Sequence, residues 1–337
     1  MKRKTKLLII AFFSFMYFSC KKEKLINEQG NLVPKTVIED NNLPAITVNG
    51  IRLHSEAWGH PHNNLIVVIH GGPGGDYREM LNCKDLAEQG FRVIFYDQRG
   101  SGLSQRLSKS KYVDNGVSTL DTFYNELRGV INHYKKYSDQ KVFLLGHSWG
   151  AMLATGFTGK YPELVDGLIS SEPGGLIWED VIEYIKESRD FNLFSETSNN
   201  ATYPDQFISA KQDHHAVLDY KFALLVSKNT ITGEGVTEKL DFWRNGAVVN
   251  SAMNEIGIKY EPNFSSGIIR FNKPVLFFYS EKNKVYSDNW AKKISSSYKS
   301  VITNKVSGVG HSGIIANKNA WKNTVMPKIL SYLNSVK

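Results

Sequence analysis

The chain has 337 residues, 41% of them hydrophobic and 22% charged, which is enough apolar material for a large core and too much for a disordered polymer. The net charge of +8 is not spread over a face: residues 1–24 carry seven Lys or Arg against one Glu, +6 of the total, and the rest of the chain is close to neutral. With no basic surface to attract phosphates, nucleic acid is excluded as a partner class.

That basic start has the layout of a targeting segment. Lys2, Arg3, Lys4 and Lys6 precede an apolar core from Leu7 to Phe18 that is short for a bilayer span, and Cys20 follows Ser19. The stretch Tyr17-Phe-Ser-Cys20 resembles a bacterial lipobox, in which the cysteine is lipidated and becomes the mature N-terminus; it departs from that pattern at Tyr17, where an aliphatic residue is usual. The resemblance implies a signal peptide over 1–19 and an exported bacterial lipoprotein, anchored to a membrane through Cys20 on the periplasmic or cell-surface side. An uncleaved signal anchor and a signal peptide cut elsewhere are the alternatives. Cys83 is the one other cysteine, so lipid on Cys20 precludes an internal disulfide, and a buried inert thiol is expected. Residues 20–45 are polar and aperiodic and read as a flexible tether.

Order is expected from residue 46. Ile46-Thr-Val48, Asn49-Gly50 and Ile51-Arg-Leu53 form a hairpin signal. Strand-like runs follow at Leu65–Ile69, Phe91–Tyr96, Val142–Leu145, Val165–Ser170, Val275–Tyr279 and Val301–Val306, with helical patterns between many of them, as at Phe123–Tyr134 and Ala151–Lys160. An opening hairpin and then alternating strand and helix predict an α/β fold, a mostly parallel sheet covered on both faces.

The loops behind these strands carry the chemistry. His70-Gly71-Gly72-Pro73-Gly74-Gly75 follows the third strand, and its glycines let backbone N–H groups approach a substrate oxygen. Asp97-Gln-Arg99-Gly100-Ser-Gly102-Leu-Ser104 ends the next strand and is expected to brace the site. Gly146-His147-Ser148-Trp149-Gly150 stands between an apolar strand and a helix-like Ala151-Met-Leu-Ala154, the layout of a nucleophile elbow. There a sharp turn lifts the Ser148 hydroxyl clear of the backbone, and only small residues fit two positions to either side.

Together and in this order, these three motifs resemble the α/β-hydrolase superfamily and, within it, the prolyl iminopeptidase-like serine aminopeptidases. Over roughly residues 46–337 the resemblance implies an eight-stranded core sheet, oxyanion donors at Gly72 and Trp149, release of N-terminal residues from short peptides, and no cofactor or metal. The superfamily's histidine lies after the last strand, where His311 stands in Val306-Ser-Gly-Val-Gly-His311-Ser-Gly313; it is the expected general base for Ser148. His147 is read as a motif neighbour pointing elsewhere.

The acid departs from the pattern. After Pro274-Val-Leu-Phe-Phe-Tyr-Ser280 the family usually has an aspartate, and alignment puts Asn283 there. Glu281, two residues earlier and on the same side of an extended segment, ranks first as the charged partner. Glu172, at the end of the sixth strand, ranks second, an uncharged Ser148-His311-Asn283 arrangement third and Asp288 fourth.

Between Gly175 and Lys273 the chain is far longer than a strand–helix connection. Core segments 46–174 and 268–337 with a helical cap over 175–267 are expected, the cap's stripes being Trp178-Val181-Ile182-Ile185, Leu218-Phe222-Leu225 and Val248-Ala252-Ile256. An aminopeptidase must hold a substrate ammonium, for which Glu172, Glu179, Asp180 and Glu183 are candidates. Three functions follow: a serine hydrolase releasing N-terminal residues from small peptides, an ester or other acyl hydrolase, and a non-catalytic binding protein on the same fold.

Overall fold

The β-strands of this protein, in a computed structural model that describes residues 33–188, 215–226 and 243–336, form one eight-stranded sheet ordered β1-β2-β4-β3-β5-β6-β7-β8. The strands are β1 (Ala45–Val48), β2 (Ile51–Trp58), β3 (Leu65–Ile69), β4 (Arg92–Tyr96), β5 (Val142–His147), β6 (Gly167–Ser171), β7 (Val275–Ser280) and β8 (Val301–Val306). β1 and β2 close the expected hairpin with Val48 opposite Ile51; Asn49 and Gly50 both take the positive φ that a two-residue turn demands. β2 runs antiparallel to β4, and every later pairing is parallel.

Burial explains the patterns. β3, β5, β6 and β7 are buried along their whole length, which is why they read as continuous apolar runs and not as alternations. Alternate side chains still serve different layers. Leu65, Val67 and Ile69 join helices Ser118–Tyr134 and Trp149–Lys160 on one face, whereas Ile66 and Val68 join Met80, Trp321 and helix Met326–Ser335 on the other. Cys83 is buried in this second layer. β8 forms the far edge and exposes Thr303 and Lys305, polar groups that discourage further strand pairing.

The chain leaves β3 for β4 on one side and returns to β5 on the other, so the sheet's switch point lies between the carboxyl ends of β3 and β5. Register then aligns the loops. Ile69 pairs Gly146, His147 pairs Ser171, Ser171 pairs Phe278 and Ser280 pairs Val306, bringing residues 70–75, Ser148, Glu172 and the loop after β8 to one edge.

Between β6 and β7 the described residues form helices Trp178–Ser188, His215–Val226 and Ala247–Tyr260. Gly257 lets the last approach the first closely, since a β-carbon there would overlap the Trp178 ring. Asp219 ties the middle helix down: fully buried, it accepts from Arg106 Nε at 3.0 Å, Arg244 Nε at 2.7 Å and Ala247 N at 3.0 Å. Arg244 reaches on to Pro34 O at 2.9 Å and Glu39 at 3.1 Å.

Those last contacts correct the tether reading for the part of residues 20–45 that is described. Val37 is fully buried and its N–H donates to Leu103 O at 2.8 Å, so burial of one valine and capture by an arginine dock a stretch whose polarity suggested a free linker. Residues 1–32, with the expected signal segment and Cys20, lie outside the described residues. Among the described residues no helix is long and apolar enough to cross a membrane.

Removing Asp219 takes the carboxylate from the buried Arg106 guanidinium and leaves that of Arg244 with the exposed Glu39 carboxylate alone. Asp219→Ala should cost about 3–5 kcal/mol in chemical denaturation; a loss below about 1 kcal/mol would show that Asp219 does not hold the cap.

Candidate active site

Ser148 begins the site as a strained residue. Its φ of 55° is unusual for a side chain with a β-carbon, and it is held there by its own N–H donating to Ser171 O at 2.9 Å and by Ala151 and Met152 N–H donating to its carbonyl. The flanking glycines are sterically required: a β-carbon on Gly146 would overlap the Gly150 carbonyl, and one on Gly150 the Ile69 carbonyl. Trp149 opens the helix, so its N–H is among those without an intrahelical acceptor. Its indole is fixed by a 2.9 Å bond to Gln98 Oε1 and by edge contacts with Phe123 and Phe264.

Gln98 also organises the facing loop. Its backbone N–H donates to His70 Nε2 at 3.0 Å, which puts the ring proton on Nδ1, 2.8 Å from Gly71 O; its side-chain amide donates to His70 O at 3.0 Å. Burial lowers the pKa of His70 and suits this neutral ring. Gly72 sits at φ 134°, and a β-carbon there would overlap the N–H groups of Gly74 and Gly75. The cap rests on the same loop, with Asn250 Nδ2 donating to Pro73 O at 2.8 Å and Gly246 N to Gly74 O at 2.6 Å. Residues 97–104 do brace the site, since Asp97 accepts from Tyr77 N, Leu103 N and His54 Nδ1 at 2.8–3.0 Å.

His311 stands with Nδ1 2.5 Å from Glu172 Oε2. Glu172 is fully buried, at φ 45° one residue beyond β6, and its other oxygen accepts from Ser280 N and Oγ, both at 2.7 Å. Asn283 Nδ2 adds a 3.4 Å contact to Oε2 and donates to Tyr184 OH at 3.1 Å. The carboxylate beside His311 is therefore Glu172, not the first-ranked Glu281, whose exposed side chain accepts from Gly308 N at 2.8 Å. The geometric premise failed for a definable reason: the chain bends at residues 281–282, so Glu281 and Asn283 do not share a side, and Asn283 turns inward to support Glu172. Asp288 lies at the surface with Lys305 and Tyr279.

The ammonium candidates fare differently from expectation. Glu172 is committed to His311, Asp180 and Glu183 lie 2.7 and 3.5 Å from Lys293, and Glu179 is exposed. His147 does not point elsewhere: its ring centroid is 4.5 Å from that of His311, with Nδ1 3.0 Å from Ser171 Oγ. Burial first, and then the charge of His311, hold its pKa well below the usual histidine value. Sequence reasoning passed over Ser280, Tyr184 and Glu79. Ser280 alone had a signal, being the last residue of a strand that ends at the site.

A family model described as alpha/beta hydrolase fold matches residues 64–318. A proline iminopeptidase of Thermoplasma volcanium is 39% identical over 112 residues, 33% of this chain and 34% of that protein, so the match spans only about a third of the curated relative. Epoxide hydrolase 1 of Caenorhabditis elegans is 26% identical over 262 residues, 77% of this chain and 60% of the relative. Among solved structures, the proline iminopeptidase of Mycobacterium smegmatis superposes with a TM-score of 0.56 at 15% identity, covering 87% of this chain and 99% of that one, a likeness of fold.

A neutral folded His147 means that its contribution to stability is lost as pH falls through the unfolded histidine value of about 6.5, where only the unfolded chain gains the proton. In imidazole NMR, the His147 midpoint should lie well below the ordinary histidine value; a midpoint at the ordinary value would contradict this environment.

Proposed function

The chain belongs to the alpha/beta hydrolase fold family, and from that premise we propose that it is a serine hydrolase with Ser148 as nucleophile, His311 as general base and Glu172 as acid. The observation that carries this reading is the 2.5 Å bond between His311 Nδ1 and a fully buried carboxylate one residue beyond the strand next to Ser148. In the reaction, Ser148 Oγ attacks a carbonyl carbon while its proton passes to His311 Nε2. Glu172 keeps the proton on Nδ1 and supplies the counter-charge as the imidazolium forms. The Trp149 and Gly72 N–H groups donate to the oxyanion. Collapse of the tetrahedral intermediate transfers the proton from His311 to the leaving group, and water then releases the acyl group by the same steps reversed.

The substrate reading is release of N-terminal residues from short peptides, supported by the stretch shared with proline iminopeptidases. A specific observation favours a second reading, an ester or other acyl hydrolase: Glu172 is engaged by His311, and Asp180 and Glu183 lie beside Lys293, so these proposed ammonium anchors are occupied. A strained Ser148 at the end of β5 and a His311 bound to a buried carboxylate argue against the purely binding role. For location, the basic start, the short apolar core and Cys20 support a lipid-anchored exported protein whose mature form begins at Cys20. Mass analysis of the mature N-terminus tests that; a start at any other residue rejects it.

A fluorophosphonate should label Ser148 and not the Ser148→Ala variant. Glu172→Gln should lower kcat by about three to four orders of magnitude, whereas Glu281→Gln should stay within about threefold, under 1 kcal/mol of barrier. The reverse ordering would sink the assignment of the acid. Matched amino-acid arylamides and acyl esters decide the substrate: preference for the amide supports the peptidase reading, and turnover of esters alone the other.

A further inference from the structure

We infer that Glu79 is a positioning residue that joins the 70–75 loop to the His311 loop and places a second negative charge near the imidazole, an inference that rests on the Ser148–His311 reading above. Glu79 lies on the 3-10 helix Tyr77–Ala87, only 8% exposed. Ser312 Oγ, on the residue after His311, donates to Glu79 Oε2 at 3.4 Å, and the Gly71 backbone is among the groups that favour the charged carboxylate. A β-carbon on Gly71 would stand 3.1 Å from Glu79 Oε1 and 3.2 Å from Ser148 Cβ, so glycine leaves room for the carboxylate immediately beside the nucleophile's turn.

The consequence for the reaction is directional. Glu79 Oε1 lies where a β-carbon on Gly71 would crowd it, so the carboxylate packs against the loop that carries the proposed donor Gly72. Its charge acts on His311 from a different element than Glu172 does, since one is on the helix after β3 and the other at the end of β6.

The neighbouring titratable groups do not neutralise Glu79. On its own element Arg78 lies over the Trp243 ring and Lys84 over the Trp58 ring. In the adjoining loop His70 is bound to Gly71 and Gln98, while Asp76 accepts from Arg78, Trp243 and Arg244 N–H groups. From the strand ends, His147 is held neutral by burial and Glu172 is bound to His311. His311, when protonated, is the group whose field stabilises the Glu79 carboxylate. Burial outweighs that field and the two donors and pushes the Glu79 pKa up to about 6, so the carboxylate is charged above that value and neutral below it.

Glu79→Gln keeps the shape and mimics the neutral form, which makes its effect depend on pH. Fluorophosphonate labelling of Ser148 should be about tenfold slower than wild type at about pH 7.5, one lost charge interaction of order 1.4 kcal/mol, with the ratio closing toward one by about pH 5. Glu79→Asp should recover part of the difference. A ratio that is the same at every pH marks a purely structural role and overturns the inference; so does loss confined to amine-bearing substrates, which marks a substrate contact. If wild type labels at a residue other than Ser148, it is the Ser148 reading that fails. His311 imidazole NMR then decides on Glu79: Glu79→Gln should move the His311 titration midpoint down by at least about half a pH unit, and an unmoved midpoint rejects the coupling.

Discussion

A buried carboxylate at the end of β6 is the constraint on which the site rests. Charge without water is tolerated only where donors replace the hydration shell, and Glu172 has Ser280 N and Oγ on one oxygen, with His311 Nδ1 and Asn283 Nδ2 on the other. Each donor comes from a strand end or the loop that follows it, so the parallel register of β6, β7 and β8 is what completes the shell. The same shell orients the His311 ring. A sheet slipped by one residue would strand the carboxylate and turn the imidazole away.

The opposite wall of the site is organised by backbone approach more than by charge. Glycines at 71, 72, 74, 146 and 150 occupy places where a β-carbon would crowd or overlap neighbouring atoms, and Gln98 links His70 to the Trp149 indole across this wall. The cap is joined to this wall and not merely draped over it. Asp76, one residue after the glycines, accepts from Trp243 and Arg244 N–H groups, and Arg244 shares Asp219 with Arg106 of the core. The segment between β6 and β7 is therefore tied directly to the glycine loop, through Asp76, Asn250 and Gly246.

The elbow and the glycine loop were legible in the sequence because each is local: spacing within a few residues dictates a turn; His311 was pointed to by the family resemblance, which places a histidine after the last strand. The alternation of strand and helix was equally legible, and so was the eight-stranded, mostly parallel sheet that the family resemblance implied. The identity of the carboxylate beside His311 was not, because it depends on which strand ends are neighbours and on a bend at 281–282 that no local pattern announces. Glu172 was named but ranked below Glu281 on the premise that residues two apart share a side. Docking of Val37 and Glu39 was hidden for a similar reason, since Leu103 and Arg244 are distant in sequence. Glu79 gave no signal at all: a glutamate in a helical stretch is ordinarily solvated, and only the fold brings it beside Gly71 and Ser312.

The pairing of His311 with Glu172 is most directly tested by the His311 Nδ1 proton itself, observed by proton NMR with nitrogen-15 labelled histidine. A short charge-assisted bond moves such a proton far downfield and protects it from exchange. The resonance should be present in wild type and in Glu281→Gln, and absent or shifted strongly upfield in Glu172→Gln. Its persistence unchanged in Glu172→Gln, or its loss in Glu281→Gln, would contradict the account.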